Sequence, residues 1–282
     1  MVSGNLILRR LKKMAPGHAL MLYYAVSILI GTVMLSLPFA AAGNPLTFID
    51  ALFTATSAQC VTGLTVTDTG TGLTLFGQMV VLLLVQLGGL GITTFSVYLF
   101  FFLRLGIGIR GRWIVSETLV HTPVGSMKDL IAGIVRMTLL IEAAGVVLLA
   151  FVFVPEFGIS RGLYYSFFHS VSAFCNAGFS LFSDSLTGYR GSPLANITVM
   201  FLIVLGGIGF LVLRELRDVL RSRKRGRRPR LSLHSRIVLL TTMFLVLGGA
   251  LMIGILENEG VLSGMTPGEK IMGAFFQSVT AR

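Results

Sequence analysis

Hydrophobic residues along the chain gather into five long runs, Ala19–Leu37, Leu73–Leu103, Leu130–Val154, Leu194–Leu213 and Ile237–Leu256. Each is near or beyond the roughly 20 residues that carry a helix across about 30 Å of hydrocarbon. Two shorter segments lie between them, Phe48–Gln59 and Leu163–Phe174. At about a dozen residues each they are too short to span. Because the runs flanking each one already span, the short segments must enter from the outer face and turn back. The pattern predicts an all-α integral membrane protein.

Sliding the chain along itself exposes a repeat. FTATSAQCVTGL (Phe53–Leu64) aligns without gaps on FHSVSAFCNAGF (Phe168–Phe179), with Phe, Ser, Ala, Cys and Gly identical in place. A third copy begins at Phe276 as FQSVTAR and reaches Arg282 before its glycine. The helices that follow repeat as well, QLGGLGI (Gln86–Ile92) matching VLGGIGF (Val204–Phe210). Each unit therefore reads as spanning helix, short helix, glycine loop, spanning helix. The expected divisions are a cytoplasmic N-terminus (1–17), a first unit (18–103), a cytoplasmic linker (104–126), a second unit (127–217), a basic cytoplasmic linker (218–234) and the start of a third unit (235–282).

Charge orients this arrangement. Only 12% of the residues are charged, against roughly 25% in soluble domains. With the N-terminus placed in the cytoplasm, only Arg161, Arg190, Lys270 and Arg282 of the 23 Lys and Arg fall outside. That split is the positive-inside bias. Asp50, Asp68, Glu156, Asp184, Glu257, Glu259 and Glu269 gather on the outer side, where an acidic mouth raises local cation concentration. The net charge of +11 thus reflects topology and not nucleic-acid binding. RRLKK followed by FAAAG has the outline of a signal peptide, but its apolar run completes the repeat. Cys60 and Cys175 occupy equivalent repeat positions and are expected to be reduced, packed thiols and not a disulfide.

The stretch SAQCVTGLTVTD (Ser57–Asp68) carries the candidate chemistry. Non-helical backbone at membrane depth is tolerated only where protein buries it or a watery cavity runs beside it. The preceding short helix points its partially negative C-terminus at the protein centre, which favours a cation there. Backbone carbonyls of Val61, Thr62, Gly63 and Leu64, and of Asn176, Ala177, Gly178 and Phe179, are the candidate ligands. Gly63 and Gly178 permit the torsions required. Carbonyl dipoles replace the hydration shell of potassium in selectivity filters, so no charged side chain is needed.

With LTFIDALFTATSA before VTGLTVTD and FGQMVVLLLVQLGGLGI after it, the chain resembles the Ktr/Trk-type bacterial potassium uptake proteins, from about the first spanning helix to Arg282. The short N-terminus looks more like the Ktr branch. The resemblance implies four units around one pseudo-fourfold pore, with filter glycines carried over to Gly63 and Gly178. It implies potassium as the transported ion, with or without sodium dependence, in the bacterial cytoplasmic membrane. A homodimer and a cytosolic nucleotide-binding regulatory ring of the RCK type are also implied. Two units and the start of a third are present, so a piece of a longer protein is expected; alone it cannot close a four-sided filter. The competing readings are a secondary transporter of another solute, which also uses broken helices at midplane, and a non-conducting truncated subunit.

Other residues invite a choice. Gly88, Gly89 and Gly91, with Gly206, Gly207 and Gly209, are read as close-packing positions, a hinge being the alternative. Glu142, inside a membrane run, is expected to pair with Arg136 or His169 and not to bind a cation or proton directly. His169 is read as a hydrogen-bonded packing residue. The basic run Arg214–Arg230 serves topology and anionic lipids, or contacts a cytosolic regulator. Asp68 and Thr67 either shape ion access or cap a turn. GLGIGIRG near Gly106 lacks the strand of a nucleotide loop, and nothing in the chain supports an enzyme.

Overall fold

The computed structural model describes residues 16–106, 127–224 and 231–281. The basic N-terminal residues, most of the 104–126 linker with GLGIGIRG, residues 225–230 and Arg282 lie outside the described residues. Among the described residues all regular structure is helical apart from one antiparallel bridge, Ala41 to Leu73. The chain divides into two compact units, Met1–Leu103 and Arg104–Arg282.

The first unit holds α1 (Pro16–Leu35), α2 (Phe48–Gln59) and most of α3 (Leu75–Gly106). The sequence places the start of α2 at Thr47, whose hydroxyl oxygen accepts the Asp50 N–H at 3.2 Å. Asp50 in the first turn complements the helix dipole. Outside the helices, two backbone bonds tie the segment after α1 to the start of α3, Ala42 N–H to Gly72 O at 2.9 Å and Thr74 N–H to Ala40 O at 3.0 Å. The α2 bounds agree with the short segment read from the sequence.

The second unit holds α4 (Met127–Phe157), α5 (Ile159–Cys175), α6 (Pro193–Gly207), α7 (Phe210–Lys224), α8 (Leu233–Leu256) and α9 (Pro267–Thr280). Leu149, Phe153, Ala173, Val199, Leu202 and Val279 form its core, drawn from α4, α5, α6 and α9. Here α5 is 17 residues long and starts one turn before the expected Leu163. Gly158 alone separates it from α4, at φ 78°, a left-handed conformation that suits glycine. The chain therefore reverses without the linking loop that the first unit carries. Gly162 follows on α5, so close to the Val154 backbone that a Cβ there would lie 2.6 Å from the Val154 Cα.

The run Leu194–Leu213, expected to span as one piece, is broken. α6 and α7 meet at an angle of 105°, and Gly209 sits at the break with φ 86°. Gly209 therefore makes a bend and not a close-packing contact, while the packing reading holds for Gly206, as shown below. α7 continues through the basic residues to Lys224. By length and composition Ile131–Phe157 and α8 each suffice to cross a membrane, and Leu20–Leu35 and Leu75–Gly91 are shorter apolar helices.

Capping chemistry sets the starts of the last two helices. Ser232 caps α8 and also donates its hydroxyl to Glu215 of α7 at 2.7 Å, while Ser235 donates to the same carboxylate. α9 opens with a capping box in which Thr266 and Glu269 satisfy each other's backbone N–H groups. The Thr266 N–H donates to the Glu269 carboxylate, which holds that carboxyl below its ordinary range. The cap is thus intact at neutral pH and is lost only as pH falls through that lowered value.

Glycine makes the close approach between the short helices and the spanning helices. A Cβ on Gly88 of α3 would fall inside contact distance of the Gln59 carbonyl, and one on Gly206 of α6 inside that of the Phe174 carbonyl. These are repeat equivalents. We expect Gly88→Ala and Gly206→Ala each to lower thermal stability in detergent by about 1–3 kcal/mol, the cost of overpacking. Gly17→Ala, with open space around it, should leave the melting temperature unchanged.

Candidate functional site: the two glycine loops

Both short helices end the same way. At the end of α2, the Val61 N–H donates to Ala58 O at 3.1 Å and the Thr62 N–H to Ser57 O at 2.8 Å. At the end of α5, the Asn176 N–H donates to Ala173 O at 3.0 Å and the Ala177 N–H to Ser172 O at 2.8 Å. This pair of bonds is the Schellman closure, which needs a left-handed residue just past the helix. Val61 (φ 57°) and Asn176 (φ 53°) fill that place. Asn tolerates it, whereas a β-branched valine there is a genuine outlier. Such outliers persist only where surrounding structure over-determines them.

Two residues further on, the backbone turns left-handed again, at Gly63 (φ 81°) and Gly178 (φ 73°). The residues between, Thr62 and Ala177, do not. Handedness thus alternates along each loop. Such alternation turns consecutive N–H groups to one side and leaves the carbonyls to the other. Among the described residues, the carbonyls of Val61, Thr62, Gly63, Leu64, Asn176, Ala177 and Gly178 accept no hydrogen bond. The Phe179 oxygen differs, because it accepts the Ser172 hydroxyl at 2.6 Å. The C-termini of α2 and α5 add their partial negative charge at the start of each loop.

The second loop is also held from behind. Nδ1 of His169 donates to Tyr165 O at 2.8 Å, so Nε2 is the acceptor, taking the Ser180 hydroxyl at 3.0 Å and the Leu181 N–H at 3.4 Å. The ring stacks on Phe182, with centroids 4.7 Å apart. Both ring nitrogens are therefore engaged away from Glu142, which corrects the expected pairing of Glu142 with His169. The packing role of His169 stands. Glu142 itself is buried, and its backbone oxygen accepts the Ser170 hydroxyl at 2.7 Å. The third copy repeats that bond, Ser278 donating to Val246 O at 2.8 Å.

Further residues set the outer lips. Asp68 accepts the N–H groups of Gly70 and Thr71, each at 2.8 Å, so the turn-capping alternative describes its contacts. The Gln78 amide donates to Gly70 O and Leu73 O, each at 3.0 Å. Its repeat counterpart Asn196 donates to Tyr189 O and Ser192 O, each at 2.8 Å. Cys60 and Cys175 form no disulfide, as expected; Cys175 is half-buried, but Cys60 is exposed at the end of its helix, which corrects the expectation that both thiols are packed. Sequence reasoning missed Gln78 and Asn196; aligning the repeated spanning helices brings the two amides into register. It also missed the Asn176 side chain, which donates to Thr280 O of α9 at 3.2 Å.

A sequence-family comparison matches residues 18–282 to the TrkH cation transport proteins. The chain belongs to that family. Its relatives include the Ktr system potassium uptake protein B of Bacillus subtilis (strain 168), 41% identical over 96% of this chain and 60% of the relative. The protein of the same name from Vibrio alginolyticus is 40% identical over 90% of this chain and 55% of its own length. The potassium/sodium uptake protein NtpJ of Enterococcus hirae is 36% identical over 96% of this chain and 59% of its own. The chain therefore spans between 55% and 60% of the length of these relatives. TrkH membership and the apolar helices place the chain in a family of membrane cation transport proteins.

The left-handed valine gives a direct check on the loop geometry. Val61→Gly should raise thermal stability by about 1 kcal/mol, the strain of a non-glycine residue in this region. Asn176→Gly should bring no such gain, because asparagine adopts the conformation readily and its amide also donates to Thr280 O.

Proposed function

We propose that the chain is the filter-bearing part of a potassium uptake protein, in which the two glycine loops dehydrate the ion with backbone carbonyls. The observation that carries this reading is the alternating left-handed backbone at Val61/Gly63 and Asn176/Gly178, set just past the ends of α2 and α5. Its carbonyls are not consumed by hydrogen bonds within the loop, Phe179 excepted. Val61, Thr62, Gly63 and Leu64, with Asn176, Ala177, Gly178 and Phe179, are the proposed ligands, the Phe179 oxygen sharing one lone pair with Ser172.

Transport is downhill in this reading. The membrane potential contributes about 2.3 kcal/mol per charge per 100 mV, and the helix C-termini favour the dehydrated cation. Sodium dependence is in keeping with the potassium/sodium name of the Enterococcus relative. The bacterial cytoplasmic membrane, with the N-terminus inside, is the proposed location on the positive-inside count. The Ktr system names of the relatives support a partner subunit, proposed to be a cytosolic nucleotide-binding ring of the RCK type that regulates a homodimer. Arg214–Arg230 is proposed to meet anionic lipids, each basic residue near the surface being worth about 1 kcal/mol.

The test is rubidium uptake by a potassium-uptake-deficient strain carrying the complete gene. Gly63→Val and Gly178→Val, which force a β-branched side chain into left-handed torsions, should each cut uptake by about tenfold or more, with the protein still present in the membrane. Normal uptake in either variant would reject the carbonyl filter. Replacing Arg223, Lys224 and Arg225 by glutamine should weaken vesicle binding only when the vesicles contain anionic lipid. A loss of regulator binding instead would assign this run to the partner subunit.

A further inference from the structure

The two loops share a backbone conformation but not their support. On the second, three side chains tether the strand. Ser172 donates to Phe179 O at 2.6 Å. His169 accepts from Ser180 and Leu181 at 3.0 and 3.4 Å, and Ser180 in turn accepts the Phe182 N–H at 3.0 Å. Asn176 reaches Thr280 O. The matching positions in the first copy are Ser57, Thr54 and Val61. Ser57 has the same hydroxyl at the same repeat position, yet its Oγ and the Thr54 Oγ1 are buried with no hydrogen-bond partner among the described residues. Val61 has no polar group to offer. Leu64, the counterpart of Phe179, is exposed, whereas Phe179 is buried.

From this difference we infer that ion discrimination is set unequally by the two copies: Ser172 and His169 are positioning residues that fix the second carbonyl strand, while the first strand adjusts to the ion. The inference rests on the carbonyl-filter reading. A carbonyl cage discriminates between cations only as far as its oxygens resist moving toward the smaller one, or as far as their number and field are held constant. Either way the restoring force must come from what the oxygens are attached to. Ser172 acts on the Phe179 oxygen directly. His169 acts one residue later, through Ser180 and Leu181, and is itself pinned by Tyr165 O and by stacking on Phe182. Among the described residues, neither Ser57 nor Thr54 gives the first strand an equivalent hydrogen bond.

The experiment compares the same chemical change at the same repeat position. Ser172→Ala and Ser57→Ala are made in the complete gene, and rubidium and sodium uptake are measured in the same cells at equal external concentration. The ratio of the two uptakes does not depend on the amount of protein. Ser172→Ala should lower the rubidium-to-sodium ratio by about fivefold, the scale of one net hydrogen bond. Ser57→Ala should leave it within about twofold. His169→Phe, which keeps a stacking ring and removes both nitrogens, should move the ratio in the same direction as Ser172→Ala. An unchanged ratio in Ser172→Ala, or an equal fall in Ser57→Ala, overturns the assignment. If Ser172→Ala abolishes all transport, Ser172→Thr decides: recovered uptake at the original ratio supports the tether, and no recovery overturns it. Both copies keep Gly63 and Gly178 throughout, so failure of the filter itself is read separately, from the glycine variants.

Discussion

A peptide carbonyl removed from water must find another partner, and inside a membrane the penalty for leaving one unsatisfied is several kcal/mol. The helices α2 and α5 stop inside this constraint. Each leaves terminal carbonyls that no further turn of helix will satisfy. The Schellman bonds from Val61 and Thr62, and from Asn176 and Ala177, satisfy two of them at each end. They do so only by forcing a left-handed residue immediately afterwards. That first reversal, followed by the second at Gly63 or Gly178, gives both loops the same backbone course and leaves their carbonyls, Phe179 excepted, without hydrogen bonds among the described residues. The unused oxygens that result are tolerable where a cation can occupy the place of the missing donors, which is the reason the helix end and the ion reading belong to one argument.

Close packing then fixes where each row sits. Gly88 and Gly206 bring α3 and α6 against the last carbonyls of α2 and α5. Gly145 and Gly249 do the same for α4 and α8, whose backbones meet Ser170 and Ser278. The third copy therefore places α9 on α8 with the same serine bond that places α5 on α4. In the first copy the corresponding residue is Ala55, which is fully buried and makes the approach by size alone.

Much of this was legible in the sequence because the repeat doubles every observation. The α2 bounds, the left-handed loop glycines Gly63 and Gly178 and the family follow from matching VTGL to NAGF between apolar runs. What the sequence hid has physical causes. The break at Gly209 lies within an uninterrupted apolar run, where hydropathy has no means of distinguishing a straight helix from a bent one. The early start of α5 turns on one glycine, Gly158, whose torsion carries no compositional signal. Glu142 and His169 looked like partners because both are ionisable and membrane-embedded, yet the histidine is saturated by groups on its own helix and loop. The support behind the second loop was visible only as a difference between copies, His169 for Thr54 and Asn176 for Val61, and a difference states no geometry.

The right-angle joint at Gly209 has a mechanical meaning. A straight helix passes a push along its axis from one end to the other. α6 and α7, meeting at 105°, do not: a lengthwise displacement of α7 reaches α6 as a sideways push at the Gly209 bend. Because the Glu215 carboxylate ties α7 to the start of α8 through Ser232 and Ser235, that displacement is shared with the next repeat's first spanning helix. A push along α7 would therefore be delivered as lateral spreading between neighbouring repeats and not as a piston stroke along α6.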